Sequence, residues 1–274
     1  MRSFPLGSFF FGNGGKMKLL LVGDVFGILG RQIFAKQVKK IKQDELVNFI
    51  VANGENVAHG TGINEKYYKW FLEQNVNVIT LGNHAFHNRD VFRFIADAKS
   101  LIRPMNFMDT APGKGYVTMN YNGILITVFQ VMGKVFSTME LKCPFETTDR
   151  LLNEQKSDIW ICDIHGEATS EKIAFAHHFD GRINIIFGTH THVQTNDARI
   201  LPKGSFYITD LGMTGPLDGV IGVKKEIVIN RFLTNDQTKF EPVTEGKSQF
   251  CAVMLEIEEQ SGKVKNFQVI HHVE

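Results

Sequence analysis

The sequence predicts a layered α/β fold of the α+β type, in which a β-sheet core is flanked by helices. Two observations support this prediction. From Leu19 to Ala98, a short apolar run, a polar loop and an amphipathic segment follow one another three times. This order is typical of strands that alternate with helices. The rest of the chain adds apolar runs with the spacing of strands and hairpins, which indicates that the sheet core continues there.

In the first third of the chain, each apolar run is short enough for a buried strand and is closed by glycine or asparagine. The three predicted strands are Leu19 to Val22, Phe49 to Ala52 and Val76 to Leu81. Apolar residues then recur at helical spacing after each strand. The three predicted helices are Arg31 to Lys42, Asn64 to Gln74 and Asp90 to Ala98.

The middle of the chain carries shorter β signals. Segments 115–121 and 124–130 are joined by Asn122-Gly123, a strong signal for a type I′ turn in a β-hairpin. Residues 131–149 show no clear periodicity, and we expect a lid or an insertion there.

The second half begins with two more apolar strands that enclose a helix. The strands are predicted over 159–164 and 183–187, and the helix over 170–178, with Thr169 or Ser170 as its cap. The last third, from residue 206 to residue 269, is β-rich with hairpin-like spacing. We see no internal repeat and no linker.

The 274 residues suffice for one large domain with a full core. We expect a single domain over residues 17–274. Residues 1–16 are interpreted as an N-terminal extension or tag that need not be ordered. The apolar stretch within it, residues 8–12, is too short for the core of a signal peptide.

The composition is that of a soluble globular protein, with 43% hydrophobic and 22% charged residues. The net charge of +1 gives no global basic field that would indicate a nucleic-acid partner. Three cysteines, widely spaced, favour a reducing compartment over a disulfide framework, and we expect a cytoplasmic protein. No apolar run reaches the length of about 18 residues that a transmembrane helix needs.

Polar clusters with the chemistry of a metal site follow five predicted strands. They are Asp24, Glu55-Asn56, Asn83-His84, His165 and His190-Thr191-His192. Because sites in open α/β sheets form beyond the carboxyl ends of the strands, we expect these clusters to converge. Imidazole, carboxylate and amide ligands suit Zn, Mn, Fe or Ni better than they suit a soft metal that prefers thiolates. A shared carboxylate can bridge two ions about 3.5–4 Å apart, the separation found in two-metal hydrolases.

Each cluster has a simpler interpretation when it is considered alone. Gly-Asn-His after a strand is usually a turn. His-x-His can be surface decoration, or a pair on one face of a strand, since residues i and i+2 point the same way. Asp24 could be a helix N-cap. Turn and cap chemistry does not explain why all five clusters lie at strand ends, so a common site is favoured.

The order of these motifs resembles the calcineurin-like metallophosphoesterase superfamily, and within it the bacterial YmdB-type phosphodiesterases. The resemblance covers about residues 17–272. Its most specific runs are residues 163–172 (Asp-Ile-His-Gly-Glu-Ala-Thr-Ser-Glu-Lys) and 188–195 (Gly-Thr-His-Thr-His-Val-Gln-Thr). The resemblance implies a β-sandwich flanked by helices and a 2′,3′-cyclic-nucleotide 2′-phosphodiesterase activity.

The same resemblance implies two divalent metal ions, with Fe or Mn favoured and Zn, Mg or Ni as alternatives. The implied ligands of the first metal are Asp24, Asn56 and His192. Those of the second are Asn83, His165 and His190. Glu55 is expected to bridge the two ions. His84 is expected to act as the general acid that protonates the leaving-group oxygen, because an imidazole changes charge near neutral pH.

Some positions depart from the usual pattern of the superfamily or of the branch. Phe26 stands where most members have a histidine, so the amide oxygen of Asn56 would replace the missing imidazole. After Gly-Asn-His the branch usually has Trp and Asp, whereas this chain has Ala85-Phe86-His87. The carboxylate that could orient His84 is therefore missing, and Asp90 is the candidate substitute.

The expected substrate is a small phosphodiester or a nucleotide, and His59, in the loop after Glu-Asn, is assigned to substrate binding. Two alternatives stay open at this point. One is a phosphomonoesterase such as a nucleotidase, and the other is a metal-containing regulatory protein that binds a nucleotide and has weak catalysis. A homo-oligomer is a further option that the sequence leaves undecided.

Overall fold

The computed structural model describes residues 15–274, and most of the predicted extension 1–16 lies outside this range. Lys16 already belongs to the first strand, where it is paired with Glu258. Fourteen strands are present in the described part: β1 (Lys16–Val22), β2 (Asp24–Val25), β3 (Phe49–Asn53), β4 (Val78–Thr80), β5 (Leu101–Ile102), β6 (Tyr116–Tyr121), β7 (Ile124–Met132), β8 (Ile159–His165), β9 (Ile185–Thr189), β10 (Arg199–Ile200), β11 (Phe206–Ile208), β12 (Met213–Pro216), β13 (Ser248–Glu258) and β14 (Val264–Val273).

The same residues contain five α-helices and a short 3₁₀ helix. The α-helices are α1 (Gly27–Asp44), α2 (Glu65–Glu73), α3 (Pro144–Glu154), α4 (Thr169–Phe179) and α5 (Lys225–Thr234). The 3₁₀ helix covers Arg89–Arg93. None of these helices is both long and apolar enough to cross a membrane.

The strands form two mixed sheets, and the central strands of each sheet are mostly parallel. The first sheet has the order β2-β12-β13-β1-β3-β4-β5, and β14 pairs with the other side of β13. Within it, β1, β3, β4 and β5 are parallel neighbours. The second sheet has the order β10-β11-β9-β8-β7-β6, with β7, β8, β9 and β11 parallel. Parallel strands place all their carboxyl ends at one edge of each sheet, which is where the polar clusters were predicted.

Strand alternation in β1 shows how the layers are held together. Leu19 and Leu21 are buried in an apolar cluster that contains residues of both sheets. Leu20 and Val22 point to the opposite face, into a cluster that contains residues of α1 and α2. A third cluster joins the outer face of the second sheet to α3 and α4. The molecule thus has four layers, helix, sheet, sheet and helix, and the layered α/β prediction is confirmed.

The hairpin and the repeated strand-helix units also agree with the sequence prediction. In the hairpin, Tyr121 pairs with Ile124, and Asn122 and Gly123 have φ of +50° and +91°. Positive φ at both central residues is the signature of a type I′ turn. The predicted cap of α4 was wrong, because Ala168 is the N-cap and no side chain bonds the helix end.

Three further predictions about secondary structure were wrong in part. The helix predicted over 90–98 is the short 3₁₀ helix followed by turns, although Val91, Ile95 and Ala98 are buried at helical spacing. In the region predicted to be a lid or insertion, β7 extends to Met132 and α3 begins at Pro144, so only 133–143 are irregular. The last third contains α5, which buries only one residue and therefore gives no apolar stripe.

Candidate metal centre

The predicted polar clusters lie at the carboxyl ends of strands in both sheets. Asp24 follows β1, Glu55-Asn56 follows β3 and Asn83-His84 follows β4 in the first sheet. His165 is the last residue of β8, and His190-Thr191-His192 follows β9 in the second sheet. The two sheets pack against each other, so these ends meet at one edge of the sandwich.

Four of the predicted ligands are in direct side-chain contact around His165. Its Nε2 lies 2.9 Å from Oδ1 of Asn83 and 3.1 Å from Oε1 of Glu55. The Nδ1 atom of His190 lies 3.1 Å from the same Nε2 atom. His165 and Glu55 are buried, whereas Asn83 and His190 are half-buried at the mouth of the site. This group joins residues from four different strand ends.

The other predicted ligands lie beside this group. Nε2 of His192 is 3.2 Å from Oδ1 of Asn56. The backbone N–H of His190 donates to Oδ2 of Asp24 over 3.2 Å. His190 and His192 both have positive φ, +104° and +64°. Non-glycine residues adopt such angles at a cost, and they concentrate at functional sites.

Gly82 allows Glu55 and His165 to approach each other. A Cβ atom at this position would lie 2.3 Å from Oε2 of Glu55 and 2.4 Å from Nε2 of His165. Both distances are far below van der Waals contact. The glycine before Asn83 is therefore required by the packing of the site.

Asp163 is the buried centre of a hydrogen-bond network beneath His165. Its Oδ2 accepts from the hydroxyl of Thr80 at 2.5 Å and from the amide of Gln130 at 2.9 Å. Its Oδ1 accepts from the hydroxyl of Thr189 at 2.7 Å. Oγ1 of Thr189 lies 2.8 Å from Nδ1 of His165.

This network fixes the proton positions on His165. Because the hydroxyl proton of Thr189 is directed to Asp163, its oxygen accepts the N–H of Nδ1 of His165. The lone pair of the neutral imidazole is then on Nε2, the atom that faces Glu55 and Asn83. Such a partner on the far nitrogen is typical of metal-binding histidines.

A buried ion pair supports the loop that carries His190. Nζ of Lys172 lies 2.9 Å from Oδ2 of Asp210 and donates to the carbonyl of Thr189 over 2.7 Å. The same carboxylate oxygen accepts the backbone N–H of Thr191 at 3.0 Å. The lysine, with three donors and no acceptor, thereby holds the end of β9 against α4.

His84 lies at the mouth of the site without a carboxylate partner. Its backbone N–H donates to Oε2 of Glu55 over 3.0 Å, and its ring lies 4.5 Å from the ring of His87. Within residues 15–274 its buried Nδ1 has no hydrogen-bond partner. The proposed substitute, Asp90, instead accepts the backbone N–H of Glu65 at the start of α2. The expectation that Asp90 orients His84 is therefore wrong.

Two other sequence predictions concern residues near Asn56. Phe26 is buried and its ring is edge-on to His192, with 5.8 Å between the centroids, so an apolar wall occupies the position of the missing histidine. His59 is exposed and has φ of +55°. No hydrogen bond found among residues 15–274 involves its side chain, and its assignment to substrate binding stays a prediction.

Known proteins are similar in sequence to this chain over most of its length. A family model described as YmdB-like protein matches residues 20–270. The chain belongs to the YmdB-like family. It is 42% identical over 256 residues to the 2′,3′-cyclic-nucleotide 2′-phosphodiesterase of Bacillus subtilis (strain 168), and the match covers 93% of this chain and 96% of that protein.

Two solved structures superimpose closely on this chain. The crystal structure of a novel phosphatase from Mycoplasma pneumoniae gives a TM-score of 0.91 at 34% identity and covers 95% of each chain. A hypothetical protein from Thermus thermophilus gives a TM-score of 0.88 at 37% identity and covers 94% of this chain and 100% of the other. The predicted YmdB-type branch of the metallophosphoesterases and the sandwich flanked by helices are both confirmed.

The residues of this family member fit a divalent metal. Ligand atoms of Glu55, His165 and His190 all lie within 4.8 Å of one another. Oδ1 of Asp24 is buried without a hydrogen-bond partner among the described residues, which is costly for a carboxylate unless a cation faces it. Nitrogen and oxygen donors of this kind suit first-row divalent ions.

The charges inside the cluster are strongly perturbed. Burial, only partly offset by His192 and His165, raises the pKa of Asp24 to about 7. Burial disfavours the charged form of His165, but the adjacent Glu55 carboxylate outweighs this effect and raises its pKa to about 9. Burial and then the neighbouring His165 lower the pKa of His190 to about 3. Cation binding at Nε2 of His165 must therefore displace a proton, which makes metal affinity depend on pH.

Sequence reasoning did not assign roles to the supporting residues Asp163, Lys172 and Asp210. One signal was present for Asp163, which interrupts the apolar strand β8. A carboxylate in a buried strand must find hydrogen-bond donors, so its position indicated a polar network. Glu167 was also missed, and its carboxylate lies 3.2 Å from Nε2 of His190.

Proposed function

We propose that this protein is a metal-dependent phosphodiesterase that hydrolyses 2′,3′-cyclic nucleotides or related small phosphodiesters. The observation that carries the proposal is the convergence of Glu55, Asn83, His165 and His190 from four strand ends into contact distance. The 42% identical relative from Bacillus subtilis is named for the same chemistry. The single domain expected over residues 17–274 is part of this proposal.

Two divalent ions, Fe or Mn, are proposed as the cofactor. Asp24, Asn56 and His192 would hold the first, Asn83, His165 and His190 the second, and Glu55 would bridge them. Bound ions of this kind neutralise phosphate charge and lower the pKa of a coordinated water. The protein's contribution is a rigid donor set. Each ligand lies at the end of a buried strand, and burial keeps the side chains of Glu55 and His165 from reorienting.

His84 is proposed to protonate the leaving-group oxygen. Burial, with further contributions from His87 and His165, lowers the pKa of His84, although Glu55 opposes this shift. No carboxylate is bonded to its Nδ1 in the described part of the chain. The neutral form is therefore favoured near pH 7, which makes His84 a modest proton donor. General acids contribute roughly 10²–10⁴-fold, and we expect a value near the lower end.

The direct test is hydrolysis of 2′,3′-cyclic AMP and of bis(p-nitrophenyl) phosphate by protein loaded with Mn or Fe. We expect turnover of both, and loss of bound metal and activity in Asn83→Ala. Asn230→Ala, on the exposed surface of α5, is the control and should match the wild type. The proposal fails if the loaded protein hydrolyses neither substrate and Asn83→Ala keeps the wild-type metal content.

The role of His84 has its own test, based on the leaving group. A p-nitrophenolate leaves readily without protonation, whereas a ribose oxygen needs a proton. We therefore expect His84→Ala to lose much more kcat on 2′,3′-cyclic AMP than on the bis(p-nitrophenyl) ester. Equal losses on the two substrates would argue for a positioning or metal-related role instead.

A phosphomonoesterase is the second candidate, because the Mycoplasma pneumoniae relative is described as a phosphatase. Comparing p-nitrophenyl phosphate with its bis-ester separates the two activities. We expect a higher kcat/KM for the bis-ester. A clear preference for the monoester would replace the first proposal with the second.

A further inference from the structure

A cavity of about 290 Å³ opens beside the metal cluster. Its lining includes Asn83, His190 and Glu167. The loop 133–139 contributes Val135, Phe136 and Met139 among others. The cavity therefore combines polar groups at the proposed metal ligands with an apolar wall from this loop.

The apolar wall carries an exposed and strained aromatic residue. The side chain of Phe136 is 82% exposed, and its backbone φ is +64°. Bulky residues rarely adopt a positive φ, and residues held so concentrate at ligand sites. Val135 and Met139, on the same loop, are 42% and 40% exposed. The loop thus presents apolar surface to the cavity and buries little of it.

The position of this loop is fixed relative to the metal cluster. It leaves β7 directly after Met132, which pairs with His165 in the parallel ladder of β7 and β8. Both carboxylate oxygens of Glu171, in the first turn of α4, accept backbone N–H groups of the loop, from Lys134 at 2.9 Å and from Val135 at 3.0 Å. A ligand that reaches from His190 to Phe136 therefore meets a preformed wall.

We propose that this cavity is a nucleobase subsite in which Phe136 stacks on the base of the substrate. The inference rests on the proposed function, because the phosphate of the same molecule must lie at the Asn83 and His190 end. Aromatic rings stack on any base, since every base has a π-face. The cavity volume of about 290 Å³ is at the lower end of the range for small-molecule sites, about 300–1,000 Å³, which suits a subsite for one base.

The test compares two cyclic phosphates that differ only in the base. They are 2′,3′-cyclic AMP and the base-free methyl riboside 2′,3′-cyclic phosphate. For Phe136→Ala we expect KM to rise about 10-fold on the nucleotide, equivalent to about 1.4 kcal/mol of stacking, with little change on the base-free substrate. Phe136→Tyr should keep the wild-type KM, because it keeps the ring.

Phe232→Ala is the matched control, since Phe232 is 85% exposed on α5 and does not line the cavity. Its kinetics should equal those of the wild type. Equal changes on both cyclic phosphates, or no change on either, would overturn the subsite. Circular dichroism of Phe136→Ala shows whether the variant is folded, and so separates misfolding from a lost contact. If Phe136→Ala is unfolded, Phe136→Tyr tests the proposal instead, because an impaired nucleotide KM in the tyrosine variant contradicts stacking.

A binding measurement distinguishes failure of the subsite from failure of the proposed activity. Adenosine 3′-monophosphate is titrated into Mn-loaded protein, with inorganic phosphate as the base-free reference. We expect Phe136→Ala to weaken the nucleotide about 10-fold and to leave phosphate unchanged. If Phe136→Ala weakens only the nucleotide but the wild type turns over neither cyclic phosphate, the proposed activity is wrong and the subsite holds. Equal affinity of the wild type and Phe136→Ala for the nucleotide overturns the subsite alone.

Discussion

Replacing Asp163 by asparagine should weaken metal binding without unfolding the protein. In the wild type, Oδ1 of Asp163 accepts the hydroxyl of Thr189, whose oxygen in turn accepts the N–H at Nδ1 of His165. An amide can keep only one of the two acceptor positions. The other position becomes an N–H donor, so the direction of at least one hydrogen bond must reverse.

The structure decides which position reverses. Oδ2 of Asp163 faces three donors, namely the side chains of Asn53, Thr80 and Gln130. Placing the amide nitrogen there would leave several buried donors unpaired, at about 1–3 kcal/mol each. The amide nitrogen is therefore expected to face Thr189, where it meets a single hydroxyl that can accept.

The consequence is a change of tautomer at the metal ligand. Once the Thr189 oxygen accepts from the amide, its hydroxyl turns toward Nδ1 of His165. That nitrogen can accept only if the proton moves to Nε2, the atom beside Glu55 and Asn83. Loss of such a supporting partner typically costs about 10- to 100-fold in metal affinity, which is about 1.4–2.8 kcal/mol. Stability should change little, because burial already raises the pKa of Asp163 and the neutral amide avoids that desolvation.

The assay is calorimetric titration of metal-free protein with Mn²⁺, together with thermal unfolding. Thr189→Val should resemble Asp163→Asn, because it removes the connecting hydroxyl. Thr127→Val is the control, since Thr127 is equally buried in the same sheet and its side chain bonds only Thr118, at 2.8 Å, within the described structure. If Asp163→Asn binds Mn²⁺ as tightly as the wild type, the tautomer argument is refuted.

Three other predictions follow from the packing. Gly82→Ala puts a Cβ atom 2.4 Å from Nε2 of His165, so metal content and activity should fall at least about 10-fold, as measured by elemental analysis and turnover. Lys172→Met leaves the buried carboxylate of Asp210 unpaired and should cost about 3–5 kcal/mol in urea unfolding. Lys172 and the hydrogen bonds hold the pKa of Asp210 below its ordinary value despite burial. In the wild type this stabilisation is complete above the unfolded pKa of about 3.9 and is lost as the pH falls below it. In Lys172→Met the main lowering influence is gone and burial raises the pKa of Asp210, so the defect should be largest at neutral pH and should already shrink as the pH falls toward about 4. Gly123→Ala meets open space but forces φ of +91° on a side chain, so it should cost about 1–2 kcal/mol in urea unfolding with unchanged activity.

Much of the fold could be predicted from the sequence because buried strands are marked by apolar runs. The cores of β1, β3, β8 and β9 were placed correctly, since both faces of these strands are covered and the runs are continuous. The two-residue strands β2, β5 and β10 gave no such signal. Helix α5 was missed because its exposed positions include Ile229, Phe232 and Leu233, so apolar residues do not mark one buried face.

The location of the site was predictable for a related reason. Each polar cluster comes directly after an apolar run, and parallel strands bring such positions to one edge. The pairwise contacts were not predictable, because they depend on how the two sheets stack. Glu55 and His165 are far apart in the chain and come from different sheets, yet their side chains lie 3.1 Å from each other. Only the packing of β3 and β8 across the sandwich brings them together.

The site has a buried side and an open side, and the two depend on different parts of the fold. On the buried side, Asp163 and Lys172 fix the ligands through strands β8 and β9 and helix α4. On the open side, His84 and Phe136 are carried by loops that face solvent. Substitutions on the buried side should therefore weaken metal binding and lower the activity on every substrate by the same factor. Those on the open side should act according to the leaving group or the base, and this difference lets kinetics with matched substrates assign each residue to its side.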